Sequence, residues 1–255
     1  MAETIVIAPG TPSWVDLASP DLEAAIRFYT ALFGWTAHRS PAPEAGGYTL
    51  FHAGEKQVAG ASPAMVPGQP AAWTTYISVA DADATAARAA EAGAKVVMAP
   101  TQVMDLGKMA VLQDPTGAAF ALWQPGAHKG AELYNAAGAL CWNELATRDV
   151  PAAERFYTRL FGWGAKTSGE GANRYTEWQL EGRTVGGMMP MPAMVPADVP
   201  AHWLAYFGVP DCVGTARRAE ELGGSVMMQP TPIPQGTMSV MADPQGAAFA
   251  VIQLG

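Results

Sequence analysis

A nine-residue stretch occurs twice. Arg27-Phe28-Tyr29-Thr30-Ala31-Leu32-Phe33-Gly34-Trp35 returns 128 residues later as Arg155-Phe156-Tyr157-Thr158-Arg159-Leu160-Phe161-Gly162-Trp163, identical at 8 of 9 positions. Downstream, Asp114-Pro115-Thr116-Gly117-Ala118-Ala119-Phe120-Ala121 returns 129 residues later as Asp243-Pro244-Gln245-Gly246-Ala247-Ala248-Phe249-Ala250. Trp14/Trp142, Tyr76/Tyr206 and Gly93/Gly223 fill in between. Solenoid units run to about 20–50 residues, so copies this long are large enough to carry their own cores. The reading is two tandem domains, 1–127 and 138–255, joined by a Gly- and Ala-rich segment at 128–137 without sustained periodicity.

Composition agrees that cores are available. Of 255 residues, 49% are hydrophobic and 15% charged, with a mean hydropathy of +0.07, which excludes disorder as the main theme. The net charge is −8, and each half is acidic, so nucleic acid and anionic membranes are poor partners. Gly, Pro or a charge interrupts every apolar run well before the roughly 20 residues that span a bilayer. Two cysteines, Cys141 and Cys212, and an N-terminus Met1-Ala2-Glu3-Thr4 without basic residues point to no disulfide framework and no signal peptide, and hence to a soluble cytoplasmic chain.

Each copy repeats one plan internally. Trp14–Ala18 reads as a strand, Asp21 as the N-cap of a helix with Leu22, Ala25, Ile26, Tyr29, Leu32 and Phe33 at helical spacing, and Gly34 as its stop. Strands follow near Trp35–Arg39, Tyr48–Ala53 and Val58–Ala61. A second round runs from a strand at Trp73–Val79 through a helix from Asp81 to Ala92 to strands near Val96–Val103, Met109–Leu112 and Ala118–Gln124. The expected modules are βαβββ at about 12–65, 72–124, 138–194 and 202–254, with Asp-Pro-x-Gly as a turn between antiparallel strands.

This paired plan, with Phe-Tyr-x-x-Leu-Phe-Gly-Trp ending the first helix and Asp-Pro-x-Gly opening the last strand, resembles the vicinal oxygen chelate superfamily from about Thr11 to Gln253. That superfamily includes glyoxalase I, extradiol dioxygenases, fosfomycin-resistance transferases and bleomycin-resistance proteins. Trp123-Gln124-Pro125-Gly126 is similar to the linker of tandem actinobacterial members labelled glyoxalase-like or hydroxylase. The resemblance implies an α+β fold: two tandem domains, each of two modules forming a curved, eight-stranded mixed sheet, a cup with helices outside. It also implies metal-ligand positions, which carry Trp14, Thr74 and Ala121 in one copy and Trp142, Leu204 and Ala250 in the other. A catalytic zinc or iron site needs about three protein donors, which these side chains do not supply. A register slip would bring in only Asp16 and Glu144, one carboxylate per module. His38, His52, His128 and His202 lack spaced partners, so neither metal nor cofactor is expected. Cys141 reads as a small buried hydrophobe, and Cys212 as opening a helix capped by Asp211.

The expected cup lining is Trp14, Asp16, Thr74, Tyr76, Ala121 and Trp123, with Trp142, Glu144, Leu204, Tyr206, Ala250 and Ile252 in the second copy. Met65, Met189 and Met194 stand in or beside Pro-broken segments between modules and suit a pocket edge, while Trp73, Trp203, Tyr29 and Tyr157 read as core. A carboxylate facing an apolar cup is costly unless it is paired. Asp16 and Glu144 therefore fit an ion pair at a seam, a hydrogen bond to a ligand's polar edge, or a general base, and they are the catalytic candidates should chemistry occur. The preferred expectation is a metal-independent protein of the bleomycin-resistance kind that binds a hydrophobic aromatic small molecule, an antibiotic or biosynthetic intermediate, for sequestration or presentation. The alternative is a metal-free hydroxylase- or glyoxalase-like enzyme of secondary metabolism that uses a cup carboxylate as base. A monomer or homodimer, alone or with a biosynthetic enzyme as partner, fits either.

Overall fold

The computed structural model describes residues 7–255; the N-terminal segment read above for targeting lies outside them. Two eight-stranded mixed sheets and four helices form the chain. In the first repeat, β1 (Pro12–Ser19), α1 (Leu22–Phe33), β2 (Thr36–Arg39), β3 (Thr49–Ala53) and β4 (Lys56–Pro63) make one module. A second follows as β5 (Ala72–Ser78), α2 (Ala82–Glu91), β6 (Lys95–Val103), β7 (Gly107–Gln113) and β8 (Ala119–Pro125). The second repeat gives β9 (Leu140–Thr147), α3 (Val150–Phe161), β10 (Gly164–Ser168), β11 (Tyr175–Leu180) and β12 (Arg183–Pro190). Its last module is β13 (His202–Gly208), α4 (Cys212–Glu221), β14 (Ser225–Ile233), β15 (Gly236–Ala242) and β16 (Ala248–Leu254). The sheets run β2-β3-β4-β1-β5-β8-β7-β6 and β10-β11-β12-β9-β13-β16-β15-β14, which is the α+β arrangement of paired βαβββ modules that the sequence predicts.

Each helix starts where its aspartate says. Asp21, Asp81, Asp149 and Asp211 accept hydrogen bonds from the amides of Ala24, Ala84, Ala152 and Gly214 at 2.9–3.0 Å, caps worth about 0.5–2 kcal/mol each. Gly34 and Gly162 end α1 and α3 with φ near +70°, where a side chain would be strained. No helix among the described residues is long and apolar enough to cross a membrane.

Packing sorts the modules into two compact units. Unit 1 comprises the chain up to Ser13, Thr75–Gly130 and Trp142–Leu204, so it combines most of the first repeat's second module with most of the second repeat's first. Its core gathers Ile77, Leu112, Phe120, Leu145, Phe156, Tyr157, Trp163, Trp178 and Trp203. Unit 2 comprises Trp14–Thr74, Ala131–Cys141 and Ala205–Gly255, with Val15, Leu17, Phe28, Tyr29, Trp35, Phe51, Trp73, Phe207 and Phe249 as its core. Rings do much of the filling: Tyr29 meets Trp73 edge-on at 5.2 Å and Tyr157 meets Trp203 at 5.4 Å. Such pairs add about 0.5–1.5 kcal/mol to the burial of each ring. In unit 2 the segment that the sequence reads as aperiodic is tied down. Glu132 donates its backbone N–H to the Gln57 carbonyl and accepts the Gln57 amide on its side-chain carboxylate, both at 2.8 Å, and Trp35 donates its indole N–H to the Gly138 carbonyl at 2.8 Å.

Candidate functional site

Along β9, alternate residues part. Leu145 enters the unit 1 core, whereas Trp142 and Glu144 share the opposite face of the strand. β1 does the same in unit 2, with Val15 and Leu17 in the core and Trp14 and Asp16 opposite. A tyrosine meets each carboxylate. Tyr175, the first residue of β11, donates its hydroxyl to Glu144 Oε2 at 2.8 Å and accepts the Trp142 indole N–H at 2.9 Å. In unit 2, Tyr48, just before β3, accepts the Trp14 indole N–H at 3.0 Å and hydrogen-bonds Asp16. Both units thus carry an indole–phenol–carboxylate relay at matching places in the repeat.

Glycines make room for it. Asp16 pairs in register with Gly60 on β4, and Glu144 with Gly187 on β12. A methyl group at Gly60 would overlap the Tyr48 hydroxyl. At Gly187 it would overlap the Tyr175 hydroxyl and stand 2.9 Å from the Trp142 indole nitrogen. The strand backbone is therefore the floor on which each phenol lies. Burial, and next the negative charge of Asp16 or Glu144, push the Tyr48 and Tyr175 hydroxyls well above the usual phenol range, so both remain proton donors. Glu144 is only 8% exposed and Asp16 is half-buried.

A second pair of relays fastens the cores. Trp73 donates to the Tyr29 hydroxyl at 2.9 Å, which donates to Asp243 at 3.2 Å. Trp203 donates to Tyr157 at 2.8 Å, and Tyr157 to Asp114 at 2.9 Å. The two repeated motifs of the sequence are thus hydrogen-bonded to each other, the helix tyrosine of one copy to the Asp-Pro-x-Gly aspartate of the other.

The other expected residues fall as follows. Tyr76 and Trp123 are buried in unit 1, ring to ring at 6.4 Å, with the Trp123 indole donating to the His128 carbonyl at 3.0 Å. Thr74 is half-buried, and Leu204 and Tyr206 are buried. Met189 is half-buried on β12, whereas Met65 and Met194 project from loops, 65% and 89% exposed. Each of these two opens a Met-Val-Pro stretch, and Arg148 holds the Met194 loop by donating to the carbonyls of Pro196 and Val199 at 2.7 and 2.6 Å. Cys212 is buried, with Asp211 capping its helix. Burial lifts the half-buried Cys141 thiol to about 11.

Sequence reasoning does not find Tyr48 or Tyr175, since both follow irregular loops. The signal available was the pairing of Tyr48-Thr49 with Tyr175-Thr176 at an offset of 127. As a metal site the donor set does not fit. Trp, Leu and Ala occupy most of the implied ligand positions, and among the described residues no three His, Cys, Asp or Glu side chains gather where an ion could be held. Trp142 is half-buried whereas Trp14 is only 3% exposed, so it is the β9 relay that can set an aromatic face beside an acceptor-only carboxylate and a phenol, which suits a flat guest with a hydroxyl or amine at its edge.

The chain as a whole has known relatives. A family model described as Glyoxalase/Bleomycin resistance protein/Dioxygenase superfamily matches residues 11–122 and again 139–251. The chain is 41% identical over 261 aligned residues to the anthracycline biosynthesis protein DnrV of Streptomyces peucetius, covering 97% of this chain and 94% of that protein. It is 40% identical, with the same coverage, to the anthracycline biosynthesis protein DauV of Streptomyces sp. (strain C5). In fold it matches the Mn(II)-bound glyoxalase from Novosphingobium aromaticivorans with a TM-score of 0.67 at 17% identity, over 96% of this chain and 82% of that one. With both repeats matched by one model, the chain belongs to the glyoxalase/bleomycin resistance protein/dioxygenase superfamily.

Proposed function

We propose that the protein binds a planar, hydroxylated aromatic metabolite without a metal ion, for sequestration or presentation rather than conversion. The observation that carries this reading is the relay Trp142–Tyr175–Glu144, repeated as Trp14–Tyr48–Asp16. An indole gives a stacking surface, and the carboxylate held by the phenol gives an anionic acceptor for a hydroxyl, a charge-assisted bond stronger than a neutral one. Relatives with about two fifths of their residues in common are named for anthracycline biosynthesis. Anthracyclines are hydroxylated polycycles, the chemistry such a site would recognise, and this supports a role in secondary metabolism.

The test uses 1,4-dihydroxyanthraquinone as probe. Tryptophan fluorescence should be quenched on titration, and Glu144→Gln or Asp16→Asn should weaken binding by about 0.5–3 kcal/mol, with no product seen by chromatography. Turnover by the wild type that falls about 10²–10⁴-fold in Glu144→Gln at constant affinity would replace the binder with an enzyme using Glu144 as general base. Elemental analysis showing about one transition-metal ion per repeat, with binding lost on chelation, would overturn the metal-free reading.

A further inference from the structure

Away from the relays, α3 carries Arg155 and Arg159 one turn apart on the same face. Both line a groove of about 330 Å³ in unit 1, whose remaining walls are Ala92, Pro115, Ala152 and Phe156. Neither guanidinium has an ion pair or side-chain hydrogen bond among the described residues, whereas Arg174 is spent on Glu154 and Arg148 on backbone carbonyls. In a chain of net charge −8, two uncompensated cations against an apolar floor stand out.

The repeat supplies an internal control. Unit 2 has the same groove beside α1, lined by Ala24, Arg27, Phe28, Leu222 and Pro244, but its volume is about 190 Å³. The fold thus creates a hollow wherever this helix lies beside the proline of Asp-Pro-x-Gly. Ala31 stands where the second copy has Arg159, so only the unit 1 groove has gained a second guanidinium. Two forks side by side match an oxyanion, and Phe156 and Pro115 beneath them match a flat hydrocarbon body. A groove at the small end of the range for ligand pockets takes one or two rings, not a tetracycle.

We propose that the Arg155/Arg159 groove is a binding site for a small aromatic carboxylate, separate from the relay face. The probe is 2-naphthoate, followed by its fluorescence and by the arginine side-chain NMR signals. Saturable binding should weaken about tenfold or more in the double variant Arg155→Gln/Arg159→Gln and weaken with added salt. Arg27→Gln and Tyr175→Phe should leave it unchanged. At the arginine side-chain signals, neutral 2-naphthol and inorganic phosphate should each bind more weakly than 2-naphthoate. Both arginines are exposed, so the double variant should melt like the wild type. The absence of saturable binding, binding indifferent to the double variant, or naphthol or phosphate shifting the arginine signals equally well would each overturn the proposal.

Discussion

The same three groups, indole, phenol and carboxylate, are wired in the same order in two surroundings. In the core relays the tyrosine is fully buried, and the aspartate spends its other oxygen on its own turn. Asp114 Oδ1 accepts the amides of Thr116 and Ala118 at 2.7 and 3.0 Å, and Asp243 Oδ1 those of Gln245 and Ala247 at 2.8 and 3.0 Å. In the face relays the carboxylate stands on a strand, the phenol is half-buried, and a missing side chain at Gly60 or Gly187 admits it. The same chemistry therefore serves two different surroundings. What separates them is whether the carboxylate stands in a turn or on a strand.

Alkali tests all four relays at once. Burial, and next the adjacent carboxylate, raise the pKa of Tyr29, Tyr48, Tyr157 and Tyr175. A folded-state pKa above the unfolded value of about 10 means that stability from these groups is complete below about pH 10. It is then lost as pH rises through that value toward the folded pKa, at up to about 1.4 kcal/mol per unit for each group. Urea midpoints should hold steady to about pH 9.5 and then fall steeply, with these four phenols ionising only as the chain unfolds. Tyrosinate from Tyr29, Tyr48, Tyr157 or Tyr175 in the intact fold, assigned by NMR, would show that these phenols are not held as described.

Next in size is a direct contrast. Tyr157→Phe strands both the Trp203 indole and Asp114 inside the core and should cost roughly 2–4 kcal/mol by urea unfolding. Tyr175→Phe, on the half-buried relay, should cost less than half of that while weakening anthraquinone binding. Equal losses of stability, or unchanged binding, would erase the distinction between the two regions. Gly187→Ala pushes the Tyr175 hydroxyl off its floor and should cost about 1–3 kcal/mol, with a loss of affinity that Gly186→Ala does not share. The smallest effect belongs to Trp178, whose buried indole N–H has no partner among the described residues. Replacing it by phenylalanine, the residue at the matching Phe51, trades lost ring area against an unsatisfied donor and should change stability by less than about 1 kcal/mol. A loss above 3 kcal/mol would show that the indole nitrogen is satisfied after all.

The fold was legible because its signals are local and doubled. Aspartate caps, helix-ending glycines, the Asp-Pro-x-Gly turn and strand alternation each act within a few residues, and the second copy repeats them. Half of each face relay was legible for the same reason, since Trp14 with Asp16, and Trp142 with Glu144, stand two apart on one strand. The phenol was not, because it stands at or just before the start of a different strand, and no local period links it to the Trp-x-acid pair. Nor was the bond from Tyr29 to Asp243 or from Tyr157 to Asp114, since helix periodicity marks those tyrosines only as core. The sorting of modules into units likewise depends on apolar faces that look alike in all four. The aperiodic segment before β9 is ordered by bonds to Gln57 and Gly208, partners that no local pattern could name.

The bond between Tyr29 and Asp243 joins residues 214 apart, whereas Tyr157 reaches back only 43 to Asp114. On a ribosome adding about 5–20 residues per second, Tyr29 waits roughly 10–40 seconds for its partner to be made. Unit 1 has all of its residues once Leu204 has emerged; unit 2 has its first strand almost at once and its last only at the end of synthesis. Through that interval Phe28, Tyr29, Trp35 and Phe51 form an apolar surface without its cover, a natural client for a chaperone. A stop codon between Leu204 and Asp243 would leave that surface permanently open, so even short C-terminal truncations should aggregate rather than yield a smaller working protein.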